Sequence, residues 1–145
     1  MLTLTQIFKH LYRFPGGAER FDRAVRVRVV NLKQGTTKSG RVRFVARTRS
    51  PESHGGRVVA EYYTTSIDIL DAAQHANVSC TCDDFMYTWE WALAQRKAAT
   101  LVFGNGDAPD SRNPSYTPGC CKHIVALADL LVTHRHLNSQ FQLFK

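Results

Sequence analysis

The chain has 145 residues, 43% of them hydrophobic, and 19 Lys or Arg against 12 Asp or Glu give it a formal charge of +7. That size and apolar content fit one domain, residues 1–145, with enough buried surface for a core, and exclude a disordered polymer. No apolar run is long enough to cross a bilayer and the first residues do not read as a signal peptide, so a cytoplasmic protein without a membrane partner is expected.

The charge is concentrated. Residues 19–57 hold eleven Arg or Lys against Glu19, Asp22 and Glu52, whereas residues 58–145 carry six basic and nine acidic side chains. A basic helix-plus-sheet portion, residues 1–70, is therefore expected to precede a mildly acidic portion, residues 71–145. A basic stretch of this kind suits DNA or RNA, or an acidic protein surface.

Leu4, Ile7, Phe8, Leu11 and Tyr12 fall on one face of an N-terminal helix. Thr3 and Gln6 fit a capping box, and Phe14 to Gly17 stop the helix. Its apolar face suits the core or a subunit contact better than a membrane. Val25, Val27 and Val29 then alternate with Arg26 and Arg28, and Val42 and Phe44 alternate with Arg41, Arg43, Val45 and Arg47, which predicts two strands joined by a turn over residues 33–40. Paired, they would place Arg26, Arg28, Arg41, Arg43 and Arg47 on one outward face, either merely solvated or contacting nucleic-acid phosphates. A third strand is expected from Val58 to Ser66.

A short strand over Val78 to Cys82 should lead to a helix capped by Asp83 or Asp84 and running to about Lys97. Phe85, Trp89, Ala92 and Leu93 would line one side, with Tyr87 and Trp91 off that stripe as a partner surface or a second buried layer. Leu101, Val102 and Phe103 form a brief apolar run. Residues 104–119 read as loop, and Ile124, Leu127, Leu130 and Leu131 mark a last helix. The result is an α+β fold: a small, mostly antiparallel sheet with N- and C-terminal helices.

All four cysteines fall in two clusters, at 80 and 82 and at 120 and 121, and His123 follows the second. Read as C-x-C…C-x-H, Cys80, Cys82, Cys121 and His123 offer three thiolates and one imidazole. That is the ligand set of a closed structural zinc site. Such a site would pin the fold, because the energy of binding the ion becomes folding energy. A disulfide, or thiols packed as small hydrophobes, are the alternatives. Cys120 is a spare thiol beside Cys121, and the C-x-H spacing favours Cys121 as the third sulfur.

This pattern, with Lys122 and His123 leading into an apolar helix, resembles the SWIM-type zinc finger family. The resemblance covers about the C-terminal half and departs in one respect: the spacer, residues 83–120, is longer than is usual in the family, so an inserted element is expected there. The resemblance implies zinc, and DNA binding or protein interaction. The order of Cys80, Cys82, Asp83, Asp84 and Phe85, an aromatic helix, a Pro/Gly-rich insert and then Cys121 to His123 is also similar to small zinc-binding proteins of tailed bacteriophages. That similarity implies a place in a virion, reached from the host cytoplasm.

Catalysis is not expected. The pair Asp83 and Asp84 reads as a cap, Gly104 to Gly106 lacks the Lys-Ser/Thr of a phosphate loop, and no nucleophile–base constellation is present. His134 and His136 beside Arg135 suit a polar helix end better than a second metal pair. The sequence therefore points to a non-enzymatic, zinc-stabilised structural or interaction subunit of a larger assembly. The alternative is a nucleic-acid-binding accessory protein using the arginine face.

Overall fold

In the computed structural model of the chain the described residues are 1–102 and 106–134. Phe103 of the apolar run, Gly104 of the Gly-rich stretch, and Arg135 and His136 lie outside them. The fold is α+β. A two-residue strand β1 (Leu2–Thr3) enters α1 (Leu4–Arg13), and α2 (Ala18–Ala24) leads to β2 (Arg28–Thr36), β3 (Val42–His54), β4 (Arg57–Ile69) and β5 (His75–Cys80). A π-helical segment (Phe85–Trp89) continues as α3 (Glu90–Gln95), and α4 (Lys122–Thr133) follows the insert. The sheet is antiparallel throughout, in the order β1-β5-β4-β3-β2.

Helix α1 begins as its sequence predicts. Thr3 Oγ1 accepts from the Gln6 amide at 3.1 Å and the Thr3 amide donates to Gln6 Oε1 at 2.8 Å, so two otherwise orphaned donors are satisfied. Leu4, Ile7, Phe8 and Leu11 are buried, while Tyr12 stays largely exposed. The chain then turns at Gly17, where a Cβ would lie 1.7 Å from the Leu11 carbonyl oxygen. Only glycine fits there.

Strand β3 alternates cleanly: Phe44, Ala46, Thr48 and Ser50 are buried, and Arg43, Arg47 and Arg49 are exposed. Its buried face joins Ile67 of β4 and Ala76, Val78 and Cys80 of β5 in one core with α1 and with Ile124, Leu127 and Leu131 of α4. Burial of each large aliphatic side chain contributes about 1.5–3 kcal/mol. One face of the sheet is thus covered by helices, and the other faces solvent.

Three local expectations need correction. Residues 18–24 are helical, so the first strand starts at Arg28, not Val25, and Arg26 lies in the turn before it. The turn expected over residues 33–40 is shorter, because β2 continues to Thr36 past a bulge at Asn31, whose φ is 53°. The helix expected from Asp84 to Lys97 is a π-helical turn followed by a short α-helix, and Lys97 has already left it with φ 57°. The Asn113 amide, from the insert, donates to the Thr88 carbonyl at 2.9 Å, taking up an acceptor that a regular helix would use itself.

Candidate metal centre and basic sheet face

Cys80 closes β5, opposite Thr65 on β4. The pairing persists one residue further: the Thr81 amide donates to the Thr64 carbonyl at 3.2 Å, and the Thr64 amide to Thr81 Oγ1 at 3.0 Å. Extended backbone sends residues two apart to one side, so Cys80 and Cys82 both turn inward. Cys121 is the N-cap of α4 and His123 lies in its first turn. The thiol of Cys121 therefore meets the positive end of a helix dipole, which favours thiolate.

The ligand atoms of Cys80, Cys82, Cys121 and His123 all lie within 4.8 Å of one another, and all four residues are buried. They can hold a metal ion. Cys120 is fully buried outside this group, and burial pushes its thiol well above the ordinary range. Burial also pushes Cys121 up, with further help from the neighbouring thiols of Cys80 and Cys82. Burial would likewise raise Cys80, but the adjoining Cys121, Cys82 and His123 side chains overturn that and hold it well below an ordinary thiol. The Phe85 amide also points at Cys82 Sγ, at 3.4 Å.

The imidazole shows that the donors suit an ion. His123 Nε2 is 3.0 Å from Ser50 Oγ, whereas Nδ1 is buried and has no hydrogen-bond partner among the described residues. A buried nitrogen left without a partner costs about 1–3 kcal/mol. A cation bound by that nitrogen together with the three sulfurs would remove that cost. Three sulfurs and an imidazole nitrogen select a soft or borderline metal over a hard one.

Sequence reasoning missed the residues behind the ligands. Ser50 Oγ donates to Glu52 Oε1 at 2.8 Å, and Lys122 Nζ sits 3.0 Å from the same oxygen. Burial raises Glu52, but the bonds from Ser50 and Lys122 outweigh it and hold the carboxyl below its ordinary range. The Tyr63 ring lies 4.7 Å from the His123 ring. Thr65 Oγ1 is 3.4 Å from Cys80 Sγ and 2.9 Å from Thr48 Oγ1.

Asp84 sits at the N-cap position but makes no cap bond, contrary to expectation. Its carboxylate accepts from Arg20 at 2.8 and 3.3 Å and from the Trp89 indole at 3.1 Å. The Arg20 guanidinium lies over the Trp89 ring, 5.2 Å from its centre, and Phe14 meets the same indole edge-on at 4.8 Å. Burial works against the Arg20 charge, but Asp84 more than offsets it. Tyr87 and Trp91 are met by the insert: Arg112 lies over the Tyr87 ring and Tyr116 packs against Trp91.

The five arginines singled out from the sequence separate. Arg28, Arg43 and Arg47 share the solvent face of the sheet, whereas Arg26 and Arg41 lie outside the strands. Arg43 is neutralised by two 2.8 Å bonds to Asp68, directly opposite on β4. Arg49, which the sequence reading left out, stands opposite Arg28 and shares its face. Arg47 lies over the Tyr62 ring at 5.3 Å.

No family model matches the chain, and no curated protein or solved structure matches it. No helix among the described residues is long and apolar enough to cross a membrane.

Proposed function

We propose that the cluster holds one structural zinc ion and that the chain is a non-catalytic structural and interaction subunit of a larger assembly. Zinc is favoured by the donors: three thiols and an imidazole, all buried and all supplied by the protein. With four protein ligands no position is left for a reacting water, so the ion's work is to join β5 to α4. The ligand order Cys80, Cys82, Cys121, His123 supports the likeness to SWIM-type zinc fingers, here carrying a long insert.

The assembly reading rests on one observation. From Ser50 to Glu61 the β3–β4 hairpin runs past both neighbouring strands, since β2 pairs with β3 no further than Arg49 and β5 ends at Cys80, opposite Thr65 of β4. Val58 and Val59 are exposed near its tip, 75% and 40% accessible. A protruding two-stranded ribbon with open apolar side chains suits insertion against another subunit, a phage virion protein being the case the sequence suggests. The protein would be made in a reducing cytoplasm and end in the particle. Mass spectrometry of particles from the native source should find the chain in fixed stoichiometry, and a Val58→Asp, Val59→Asp chain should be absent from them. A wild-type chain found solely in the free pool overturns the reading.

The second reading, a nucleic-acid-binding accessory protein, is supported by the solvent face of the sheet. There Arg28, Arg47 and Arg49 are exposed, with no ion pair among the described residues. Binding to labelled oligonucleotides that weakens steeply with added salt supports it. Binding that ignores salt, or no binding, removes it.

A further inference from the structure

The solvent face contains an arrangement more specific than a basic patch. Arg28 on β2, Arg49 on β3 and Tyr62 on β4 are cross-strand partners in one row. Neighbouring strands lie about 4.8 Å apart, so the row spans roughly 10 Å. Two arginines directly opposite each other repel, and a sheet ordinarily places an opposite charge or an apolar group there. A carboxylate does answer Arg43 on this face; Arg28 and Arg49 have none among the described residues. Arg26, in the turn before β2, joins them around a concavity of about 310 Å³ walled by Pro51, Val58 and Ala60, and no acidic residue lines it. One row along, Arg47 lies over the ring of Tyr62, 5.3 Å from its centre, and Tyr62 is half exposed, so a cationic-aromatic platform adjoins the three guanidinium groups.

We propose that Arg26, Arg28 and Arg49 form a phosphate cradle and that the Arg47–Tyr62 platform stacks an unpaired base, so that the sheet binds single-stranded nucleic acid. This rests on the nucleic-acid reading and sharpens it. Guanidinium forks match phosphate oxygens two at a time, and three of them with no internal anion are electrostatically incomplete until one arrives. Stacking on an aromatic ring or guanidinium plane requires a base released from a duplex, which selects single strands. An acidic peptide satisfies the arginines and leaves the platform unused. Arg41, in the turn outside this face, and Arg43, bound to Asp68, are not part of the site.

The test uses the whole zinc-loaded chain and a fluorescent twenty-residue oligo-dT, followed by anisotropy across a salt series. Wild type should bind it more tightly than a duplex of the same length and more tightly than polyglutamate of equal charge. The triple change Arg26→Gln, Arg28→Gln, Arg49→Gln should weaken binding about tenfold or more and flatten the log–log salt slope by about 2, at about 0.7 per lost contact. Tyr62→Ala should weaken binding roughly tenfold and leave the salt slope in place. Arg96→Gln, beside His10 and α1, should change neither quantity. A wild-type chain that binds no oligonucleotide overturns the nucleic-acid reading as a whole. Wild-type binding that survives the triple change overturns the cradle alone. Preference for duplex, or equal affinity for polyglutamate, overturns the single-strand assignment.

Discussion

Ser50 Oγ holds His123 Nε2 at 3.0 Å, and by doing so leaves Nδ1, buried and without a hydrogen-bond partner among the described residues, as the ring nitrogen free to join Cys80, Cys82 and Cys121 on an ion. A residue on β3, far in sequence from either ligand pair, thus decides how the imidazole presents itself. Glu52 in turn accepts from Ser50, so the carboxylate completes a chain from β3 to the cluster.

Ser50→Ala should leave one metal ion per chain but lower its affinity about 10–100-fold, the usual effect of removing the outer partner of a ligating histidine. Competition with a chromophoric chelator measures this. Ser50→Thr, which keeps the hydroxyl, should recover most of the affinity. An alanine variant that binds as tightly as wild type shows that Ser50 does not orient the ring.

Cys121→Ser should abolish stoichiometric zinc, whereas Cys120→Ala should retain it. The two neighbours differ in that only the Cys121 sulfur belongs to the ligand group. Elemental analysis of refolded protein separates them. Full zinc in the Cys121 variant would move the third ligand to Cys120.

Gly119→Ala should destabilise the fold by about 1–3 kcal/mol, the range for overpacking a filled interior. A Cβ at that position would stand 2.8 Å from the Trp89 ring, and Trp89 is fully buried. Denaturant unfolding with zinc present measures the loss, and an unchanged midpoint would mean that the indole moves aside freely.

Asp71 should titrate below an ordinary aspartate, because His75 Nδ1 lies 2.7 Å from its carboxylate and the His75 amide donates to it as well. Its folded-state pKa is depressed, so its contribution to stability is present above the unfolded value and is lost as pH falls through the folded one. Carboxyl NMR of wild type and His75→Ala checks this. An Asp71 resonance that titrates identically in both would show that the pair does not form.

The Cys/His cluster, α1 and α4 were legible because each has a local signature: paired sulfur spacing, a capping box, and apolar residues at helical intervals. Arg49 was not. The second strand was read from its alternation over Arg41 to Arg47 alone, yet β3 runs on to His54. Proline is tolerated there because β2 pairs no further than Arg49, and no strand beyond Pro51 needs its missing N–H. The start of β2 was misread because Val25 and Val27 continue the alternation of Arg28 and Val29 backwards into a helix end and turn. Ser50, Glu52 and Arg20 carry no sequence mark of their roles, since their partners lie 73, 70 and 64 positions away in the chain, in contacts that only the folded sheet creates.

The place of β1 has a consequence for the order of assembly. Strands β2 to β5 pair with their sequence neighbours and can zip up as successive hairpins, but β1 pairs with β5, the strand made last. Leu2 and Thr3, and with them the helix that Thr3 caps, have no permanent seat until the far edge of the sheet exists. Helix α1, though first in the chain, therefore reaches its final place on the sheet edge only once β5 is there to receive β1.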